Sequence, residues 1–226
     1  MPVAAITGAS KGLGAALSLA LARRGYRLVL GSRNATEIAE FGQAISKLTP
    51  TLALRLDVRR KDECVGFIEA GVERFGRLDL LINNAGIWRL GTIEQVTEDD
   101  VRDLFETNVF GPIWCSQAAV AVMRRQASGH ILNIGSTAAV DLKPSHIAYG
   151  ASKAALVGFT GCLRSELAGT GVRASVFSPG GMKTGLFRAY PDRVKEDYMD
   201  PTVVAQRILD HIDHPTEEWH ITLRRR

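Results

Sequence analysis

Cysteine and long apolar runs are both scarce in this sequence. The three cysteines, Cys64, Cys115 and Cys162, are isolated and odd in number, without C-x-x-C spacing. This pattern argues against a disulfide framework and a zinc site, so we expect a reducing, cytoplasmic location and no metal. No apolar run approaches the roughly 20 residues that span a bilayer. The first strand pattern already begins at Val3, so we expect neither membrane attachment nor a secretion signal.

Clustered positive charge is missing as well. The 28 Lys and Arg residues exceed the 24 Asp and Glu residues by only four, and they are dispersed except at residues 224–226. A nucleic-acid surface needs a clustered basic stripe, ideally interleaved with exposed aromatic side chains. We therefore expect no nucleic-acid partner and a solvated arginine tail. The mild positive balance remains compatible with a small anionic ligand.

What the chain does contain is a regular alternation of apolar β-type runs and helical patterns. Its 226 residues, 46% of them apolar, fit one domain spanning 1–226. Strands are predicted at residues 3–7, 27–31, 52–56, 78–82, 130–134 and 173–177, with a weaker one at 219–223. Helices are predicted at residues 13–24, 35–48, 61–75 and 201–214, from a cap at Thr97 through Arg125, and from about Ser145 to Ala168. Near-continuous apolar runs are typical of parallel strands buried on both faces. We predict an α/β fold with a doubly wound, mainly parallel seven-stranded sheet and helices on both faces.

One glycine-rich stretch, TGASKGLG at residues 7–14, follows the first predicted strand and opens the first helix. Glycines allow a sharp turn and the close approach of a ligand's phosphates. The free N–H groups and positive dipole of the following helix would face those phosphates. Its G-x-x-x-G-x-G spacing differs from the standard dinucleotide fingerprint, and a purely structural turn could also have it.

Four polar residues further along could carry chemistry. Tyr149 and Lys153 lie four apart in a helical pattern, so their side chains share one face. An ammonium beside a phenol lowers a pKa that is ordinarily about 10 and lets the phenol exchange a proton with an alcohol or carbonyl oxygen. Ser136 follows a strand and could bond the same oxygen, or serve only as a cap. Asn108 interrupts a helical pattern, and could face solvent or hold a bend and an ordered water. A chance Y-x-x-x-K pairing is the alternative for the first two residues.

Together these motifs resemble those of the short-chain dehydrogenase/reductase family over nearly the whole chain. Residues 7–14 are similar to the family's TGxxxGxG cofactor loop, NNAG at 83–86 to the motif after its fourth strand, and Pro179-Gly180 to the motif after its sixth. The residues that match the family's catalytic tetrad in order and spacing are Asn108, Ser136, Tyr149 and Lys153. The resemblance implies a Rossmann-type fold and an oxidoreductase acting on a small carbonyl or alcohol substrate. The chain resembles 3-oxoacyl-acyl-carrier-protein reductases, the best-populated comparison, and related carbonyl reductases, and the sequence decides neither for nor against their substrates.

The resemblance also implies a role for each site residue. Ser136 would position the carbonyl, Tyr149 would carry the proton, and Lys153 would hold the nicotinamide ribose and lower the pKa of the phenol. Asn108 would anchor a water chain. The implied cofactor contacts are Gly8, Ser10, Lys11, Gly12, Leu13 and Gly14 at the pyrophosphate, Asp57 and Val58 at the adenine, Asn84, Ala85 and Gly86 at its ribose, and Pro179, Gly180 and Thr184, with Tyr149 and Lys153, at the nicotinamide end.

The end of the second predicted strand bears on the choice of cofactor. Enzymes that prefer NAD(H) usually carry an acid there, bonded to the adenosine ribose. Here the strand ends Gly31-Ser32-Arg33, without an acid. Lys11 and Arg33 could together clamp a 2′-phosphate, Arg33 bidentately, or be ordinary surface cations. We predict NADP(H) over NAD(H).

The last part of the chain leaves several alternatives open. Residues at about 180–200 are predicted as a substrate loop, whose apolar side chains Phe187, Tyr190, Tyr198 and Met199 could form a lid or pack under the last helix. The chain ends without the glycine-rich strand that the family often uses at a tetramer interface, so a homodimer or homotetramer is expected with weakened support for the tetramer. A non-catalytic NADP(H)-binding regulator or scaffold would reuse the fold, but such proteins usually lose the tyrosine or the lysine.

Overall fold

The computed structural model describes residues 1–187 and 196–224, without the side chain of Phe187. Of the predicted lid and tail, Tyr190, Arg225, Arg226 and the Phe187 side chain therefore lie outside the described residues. Within the described ranges, no helix combines the length and apolar character needed to cross a membrane.

Seven parallel strands form one sheet in the order β3-β2-β1-β4-β5-β6-β7. They are β1 (Val3–Thr7), β2 (Arg27–Ser32), β3 (Thr51–Arg55), β4 (Leu80–Asn83), β5 (Gly129–Ile134), β6 (Val172–Pro179) and β7 (His220–Leu223). The predicted α/β sheet is confirmed. β4 begins two residues later than predicted because the Leu78 N–H donates to the side chain of Gln126 and not to a strand. The strand order reverses between β1 and β4, where doubly wound folds bind their ligands.

Helices cover both faces of this sheet. They are α1 (Gly12–Arg23), α2 (Ala35–Ser46), α3 (Lys61–Phe75), α4 (Glu98–Phe105), α5 (Gly111–Gln126), α6 (Ile147–Glu166) and α7 (Pro201–Asp213). Because side chains alternate along a strand, Ala4 and Ile6 of β1 pack with α1, α2 and α7, while Val3 and Ala5 pack with α3, α5 and α6. All of β1 is buried, as its apolar run predicts.

The long helix predicted after Thr97 is interrupted. Thr97 and Asp100 do form the predicted capping box, and α4 follows. Residues Glu106–Phe110 then form a single π-helical turn before α5 begins. The prediction of one uninterrupted helix is therefore wrong, and the turn carries Asn108, where a bend was one of the alternatives. Such π-turns inside helices are frequent at functional sites.

The helix predicted to open at about Ser145 begins two residues later. Ser145 has a φ of 63°, in the left-handed region, so it cannot belong to the first turn of α6. The helix starts at Ile147 and ends at Glu166, two residues before the predicted end. This start leaves Tyr149 in the first turn of α6, beside the segment that follows β5.

Candidate active site

A cleft of about 870 Å³ runs along the carboxyl ends of the strands. The predicted site residues that line it are Gly8, Ser10, Lys11, Gly12, Leu13, Arg33, Val58, Asn84, Ala85, Gly86, Ser136, Tyr149, Lys153, Pro179, Gly180 and Thr184. Gly14, Asp57 and Asn108 are not among the lining residues. The motifs that are scattered along the chain are thus brought to one continuous surface.

The glycine loop is held by contacts with the segment after β4. The Asn84 side chain donates to the carbonyl oxygens of Thr7 and Gly8 at 2.9 and 3.0 Å. The Thr7 hydroxyl accepts from the N–H groups of Asn84 and Ala85 at 3.1 and 3.0 Å. At Gly14, a Cβ would collide with the Gly8 carbonyl oxygen, so this glycine supports the loop from behind. The side-chain amide nitrogen of Asn84 therefore stabilises the backbone of the glycine loop.

Replacing Gly8 with alanine is expected to lower the free energy of unfolding by about 2–4 kcal/mol. Gly8 has a φ of 64°, and a Cβ there would lie 2.9 Å from the Cα of Ala85, a backbone atom that cannot move aside cheaply. Gly25→Ala is the matched control, because Gly25 has a φ of 77° and nothing within 4 Å of its added Cβ. Denaturant unfolding measures both variants, and equal losses would show that the close approach to Ala85 is unimportant.

The start of α1 is suited to a diphosphate. The first N–H groups of an α-helix have no partner within the helix, and the positive end of the helix dipole lies there. The first turn of α1 has no acidic residue, and the side chain of its N-cap, Lys11, does not cap it. A Cβ at Gly12 would approach the side chain of Thr184 to 3.2 Å, so a larger residue would intrude on the space between α1 and the segment after β6. These features fit the phosphates of a dinucleotide.

Charged side chains meet at the end of the cleft next to β2. Lys11 Nζ donates to Oε1 of Glu37 at 2.6 Å, and the exposed Arg33 lines the same end. The end of β2 itself carries no acid, but α2 brings Glu37 to that place, which was not predicted from the sequence. The sequence does place Glu37 three residues after Asn34, a predicted helix cap. In the structure Asn34 caps α2 and accepts from the Glu37 N–H at 3.1 Å.

Asp57 supports the cleft from outside its surface. Arg59 donates to both carboxylate oxygens of Asp57, with 2.7 Å between Nη2 and Oδ2, and its Nη1 donates to Asp103 of α4 at 3.3 Å. The hydrogen bond from the Arg59 side chain is the main cause that lowers the pKa of Asp57. Asp57 thus holds the guanidinium of Arg59, which ties the segment after β3 to α4. Of the two residues predicted at the adenine, Val58 lines the cleft.

Ser136 and Tyr149 meet at the other end of the cleft. Ser136 follows β5 and caps a short 3-10 turn (Thr137–Ala139), where its Oγ accepts from the Ala138 N–H at 3.1 Å. Tyr149 is only 6% exposed, and this burial raises its pKa to about 12, while a hydrogen bond with the Ser136 side chain acts in the opposite direction. Ser136 is therefore both a cap and a partner of the phenol. At neutral pH the phenol is protonated and can donate its proton.

Lys153 lies one helical turn after Tyr149 and is also buried. Its Nζ donates to the carbonyl oxygen of Ile134 at 2.9 Å and lies 6.0 Å from the centre of the Tyr149 ring. Burial lowers the pKa of Lys153 to about 8. The pKa of Tyr149 therefore lies above its ordinary value and not below it as we expected, because burial of the phenol outweighs any effect of the neighbouring ammonium.

Asn108 is completely buried, which excludes the solvent-facing alternative. Its Oδ1 accepts from the Ile87 N–H at 2.9 Å, and its Nδ2 donates to the Ile87 carbonyl oxygen and to Ser152 Oγ at 3.0 and 3.1 Å. Ser152 in turn donates to the Tyr149 carbonyl oxygen at 2.7 Å. Asn108 therefore joins the π-turn, the segment after β4 and the first turn of α6. Sequence reasoning missed Ser152, whose only signal was its place beside Lys153.

Aromatic rings surround the phenol. The His146 ring meets Tyr149 edge to face at a centroid distance of 6.2 Å, and meets the buried Trp88 in the same way at 6.0 Å. Neither ring was predicted to lie here, since neither His146 nor Trp88 belongs to a motif. Of the predicted loop residues, Tyr198 lines the cleft, whereas Met199 packs against the core beside α1 and α7. Closure of this loop over a substrate stays a prediction.

Comparison with known proteins gives a consistent result. The sequence pattern of the family described as short chain dehydrogenase matches residues 2–195. An uncharacterized oxidoreductase of Methylorubrum extorquens is 37% identical over 220 residues, which are 95% of this chain and 86% of the relative.

Solved structures agree on the fold. An alcohol dehydrogenase from Thermococcus sibiricus, complexed with 5-hydroxy-NADP, is 27% identical with a TM-score of 0.90, and the match covers 99% of this chain and 95% of that one. A short chain dehydrogenase/reductase from Burkholderia phymatum in complex with NAD is 26% identical with a TM-score of 0.90, over 98% and 88% of the two chains. The similar structures thus include complexes with either type of dinucleotide.

Proposed function

Because the chain belongs to the short-chain dehydrogenase family, we propose that it is an NADP(H)-dependent oxidoreductase that interconverts a ketone or aldehyde and an alcohol. The observation that carries this proposal is the meeting of Ser136, Tyr149 and Lys153 at one end of a cleft whose other parts fit a dinucleotide. All of residues 1–226 would form a single dinucleotide-binding and catalytic domain, with a substrate loop at about 180–200. The substrate is a small molecule.

Residues of the cleft would hold the cofactor at three places. The start of α1, with Gly12 and Leu13, would bind the diphosphate through backbone N–H groups. Ala85, Gly86 and Val58 would lie along the adenosine, and the segment Pro179-Gly180 with Thr184 would contact the nicotinamide end. The chemistry that a bound nicotinamide supplies is the transfer of a hydride to or from carbon.

The chain's own residues would handle the proton at the substrate oxygen. Ser136 Oγ would donate a hydrogen bond that orients a carbonyl oxygen towards the Tyr149 hydroxyl. During reduction, the protonated phenol would then donate its proton to that oxygen as the oxygen gains negative charge. Lys153 would hold the nicotinamide ribose, and its ammonium near the phenol would stabilise the phenolate left behind. Asn108 would act through Ile87 and Ser152 and support a water chain that returns the proton.

The test of this proposal is oxidation of NADPH followed by absorbance over a panel of ketones and aldehydes. Turnover with any carbonyl, abolished when Tyr149 is replaced, is the expected result. A chain that binds NADPH but turns over nothing in the panel would favour the second candidate, a non-catalytic NADP(H)-binding regulator or scaffold. That candidate is weakened by the buried tyrosine and lysine, which a protein without chemistry has no need to keep. A homodimer or homotetramer in the cytoplasm remains our expectation, and light scattering measures the assembly.

Replacing Arg33 with aspartate is expected to reduce the ratio of kcat/KM for NADPH to that for NADH by about 10- to 100-fold. The guanidinium would bond a 2′-phosphate in a charge-assisted way, whereas an aspartate would repel it and accept from the ribose hydroxyls of NADH. Arg23→Asp is the matched control, since Arg23 is an exposed cation on α1 outside the cleft. A wild-type protein that prefers NADH would overturn the proposed cofactor preference.

A further inference from the structure

An ion pair lies at the end of the cleft where we place the 2′-phosphate. Lys11 extends from the glycine loop, and its Nζ is 2.6 Å from Oε1 of Glu37. Both side chains line the cleft, as does Arg33. One of the two cations assigned to the phosphate is therefore already bonded to an acid of the same chain.

The start of α2 fixes where this acid lies. Asn34 caps the helix by accepting from the Glu37 N–H, so Glu37 belongs to the first helical turn. The positive end of a helix dipole stabilises an anion at this place, whether that anion is a carboxylate or a phosphate. The same position therefore suits both the side chain that is present and the group that we expect to bind.

The pair is accessible enough to open. The Lys11 side chain is 57% exposed and that of Glu37 is 35% exposed. Ion pairs of this kind contribute only about 0–1 kcal/mol, so a stronger anion can take Lys11 from the carboxylate. A phosphate monoester carries about −1.5 to −2 charges at neutral pH, more than one carboxylate does.

We propose that Glu37 is a specificity-determining residue that competes with the cofactor's 2′-phosphate for Lys11. A dinucleotide with this phosphate must displace the carboxylate from Lys11 and then stay beside it. A dinucleotide with a free 2′-hydroxyl leaves the ion pair intact and offers the carboxylate a hydrogen-bond donor. Glu37 thus weakens the binding of NADP(H) relative to that of NAD(H), and the preference for NADP(H) becomes smaller. This inference rests on the proposed function, since it requires a dinucleotide in the cleft.

The experiment compares the binding of two fragments, adenosine 2′,5′-bisphosphate and adenosine 5′-monophosphate, by calorimetry. In Glu37→Gln, we expect the bisphosphate to bind about 5- to 10-fold tighter, because one repulsive charge is removed and Lys11 is released. The monophosphate should bind equally well or more weakly. Glu40→Gln is the matched control, because Glu40 is an exposed acid of the same helix that does not line the cleft. An affinity ratio in Glu37→Gln equal to that of Glu40→Gln would overturn the proposal.

A second pair of variants tests whether Glu37 acts through Lys11. If it does, the gain from Glu37→Gln should fall below about twofold when Lys11 is already glutamine, since the contested cation is then gone. The full gain in that background would mean that Glu37 acts on Arg33 or on the ligand directly, and the competition for Lys11 would be refuted. A wild-type protein that binds the monophosphate more tightly would contradict the proposed NADP(H) preference, yet the shift in Glu37→Gln would still be measurable.

Discussion

Tyr149→Phe is expected to lower kcat by about 10²- to 10⁴-fold, the usual contribution of a positioned proton donor. The substitution removes one oxygen from a side chain that is 6% exposed and leaves its ring among Trp88 and His146. Among the groups near the phenol, Ser136 is the one whose hydrogen bond affects the pKa of Tyr149. The variant would then lack the hydroxyl that donates a proton to a carbonyl oxygen held by Ser136.

Cofactor binding separates this loss from a damaged fold. A single neutral hydrogen bond contributes about 1 kcal/mol, so the Kd for NADPH should rise by no more than about fivefold. Protein fluorescence measures that Kd, and NADPH absorbance measures kcat with the best substrate of the panel. Tyr26→Phe is the control, because Tyr26 is a partly buried tyrosine that does not line the cleft. If Tyr149→Phe turned over as fast as Tyr26→Phe, another group would have to be the proton donor.

The strands and the glycine loop could be predicted because their signals are local. An apolar run such as residues 3–7 identifies a doubly buried strand wherever it lies, and the glycines after it identify the turn. General rules restrict the connections between parallel strands to right-handed crossovers, whereas the order of the strands comes from the structure. The apolar patterns did not predict a polar pair inside the sheet. Asn83 Nδ2 of β4 donates to Asn133 Oδ1 of β5 at 2.8 Å. Each asparagine is buried, and this hydrogen bond satisfies the amide nitrogen of Asn83 and the amide oxygen of Asn133 inside the sheet.

The parts of the site that sequence reasoning missed depend on contacts between distant segments. The π-turn exists where Asn108 bonds both backbone groups of Ile87, 21 residues away. Glu37 belongs to the cofactor end only because α2 starts beside the glycine loop. The pKa of Tyr149 was predicted in the wrong direction for the same reason. Spacing on α6 shows that Lys153 is near, but not how much water the surrounding rings exclude from the phenol.

Burial of Lys153 also makes the stability of the protein depend on pH. Its pKa is about 8 in the folded protein, below the ordinary value of 10.5. Between these two values the unfolded chain binds more protons at this residue than the folded chain does, so stability rises as the pH increases. Below about pH 8 the buried ammonium disfavours the folded state by up to about 3 kcal/mol, and above pH 10.5 this cost is gone.

Lys153→Met is therefore expected to be inactive and yet no less stable at neutral pH. We expect kcat to fall by about 10²-fold or more, since the phenolate formed at Tyr149 loses its neighbouring cation. Removing the ammonium recovers up to about 3 kcal/mol at neutral pH, while the Ile134 carbonyl oxygen loses its donor at a cost of about 1–3 kcal/mol. The two effects nearly cancel at neutral pH. As the pH increases, the gain from removing the ammonium disappears, whereas the cost of the lost hydrogen bond to Ile134 remains.

The pH dependence of unfolding separates the cost of burying the Lys153 ammonium from the pH-independent effects of the substitution. Denaturant unfolding from pH 7 to 10.5 should show the wild type gaining up to about 3 kcal/mol relative to Lys153→Met. Lys47→Met, at an exposed lysine after α2, should follow the wild type throughout. Parallel curves for the wild type and Lys153→Met would mean that Lys153 keeps an ordinary pKa in the folded protein. The ammonium would then be solvated rather than buried beside the phenol, and its proposed role in stabilising the phenolate of Tyr149 would lose its physical basis.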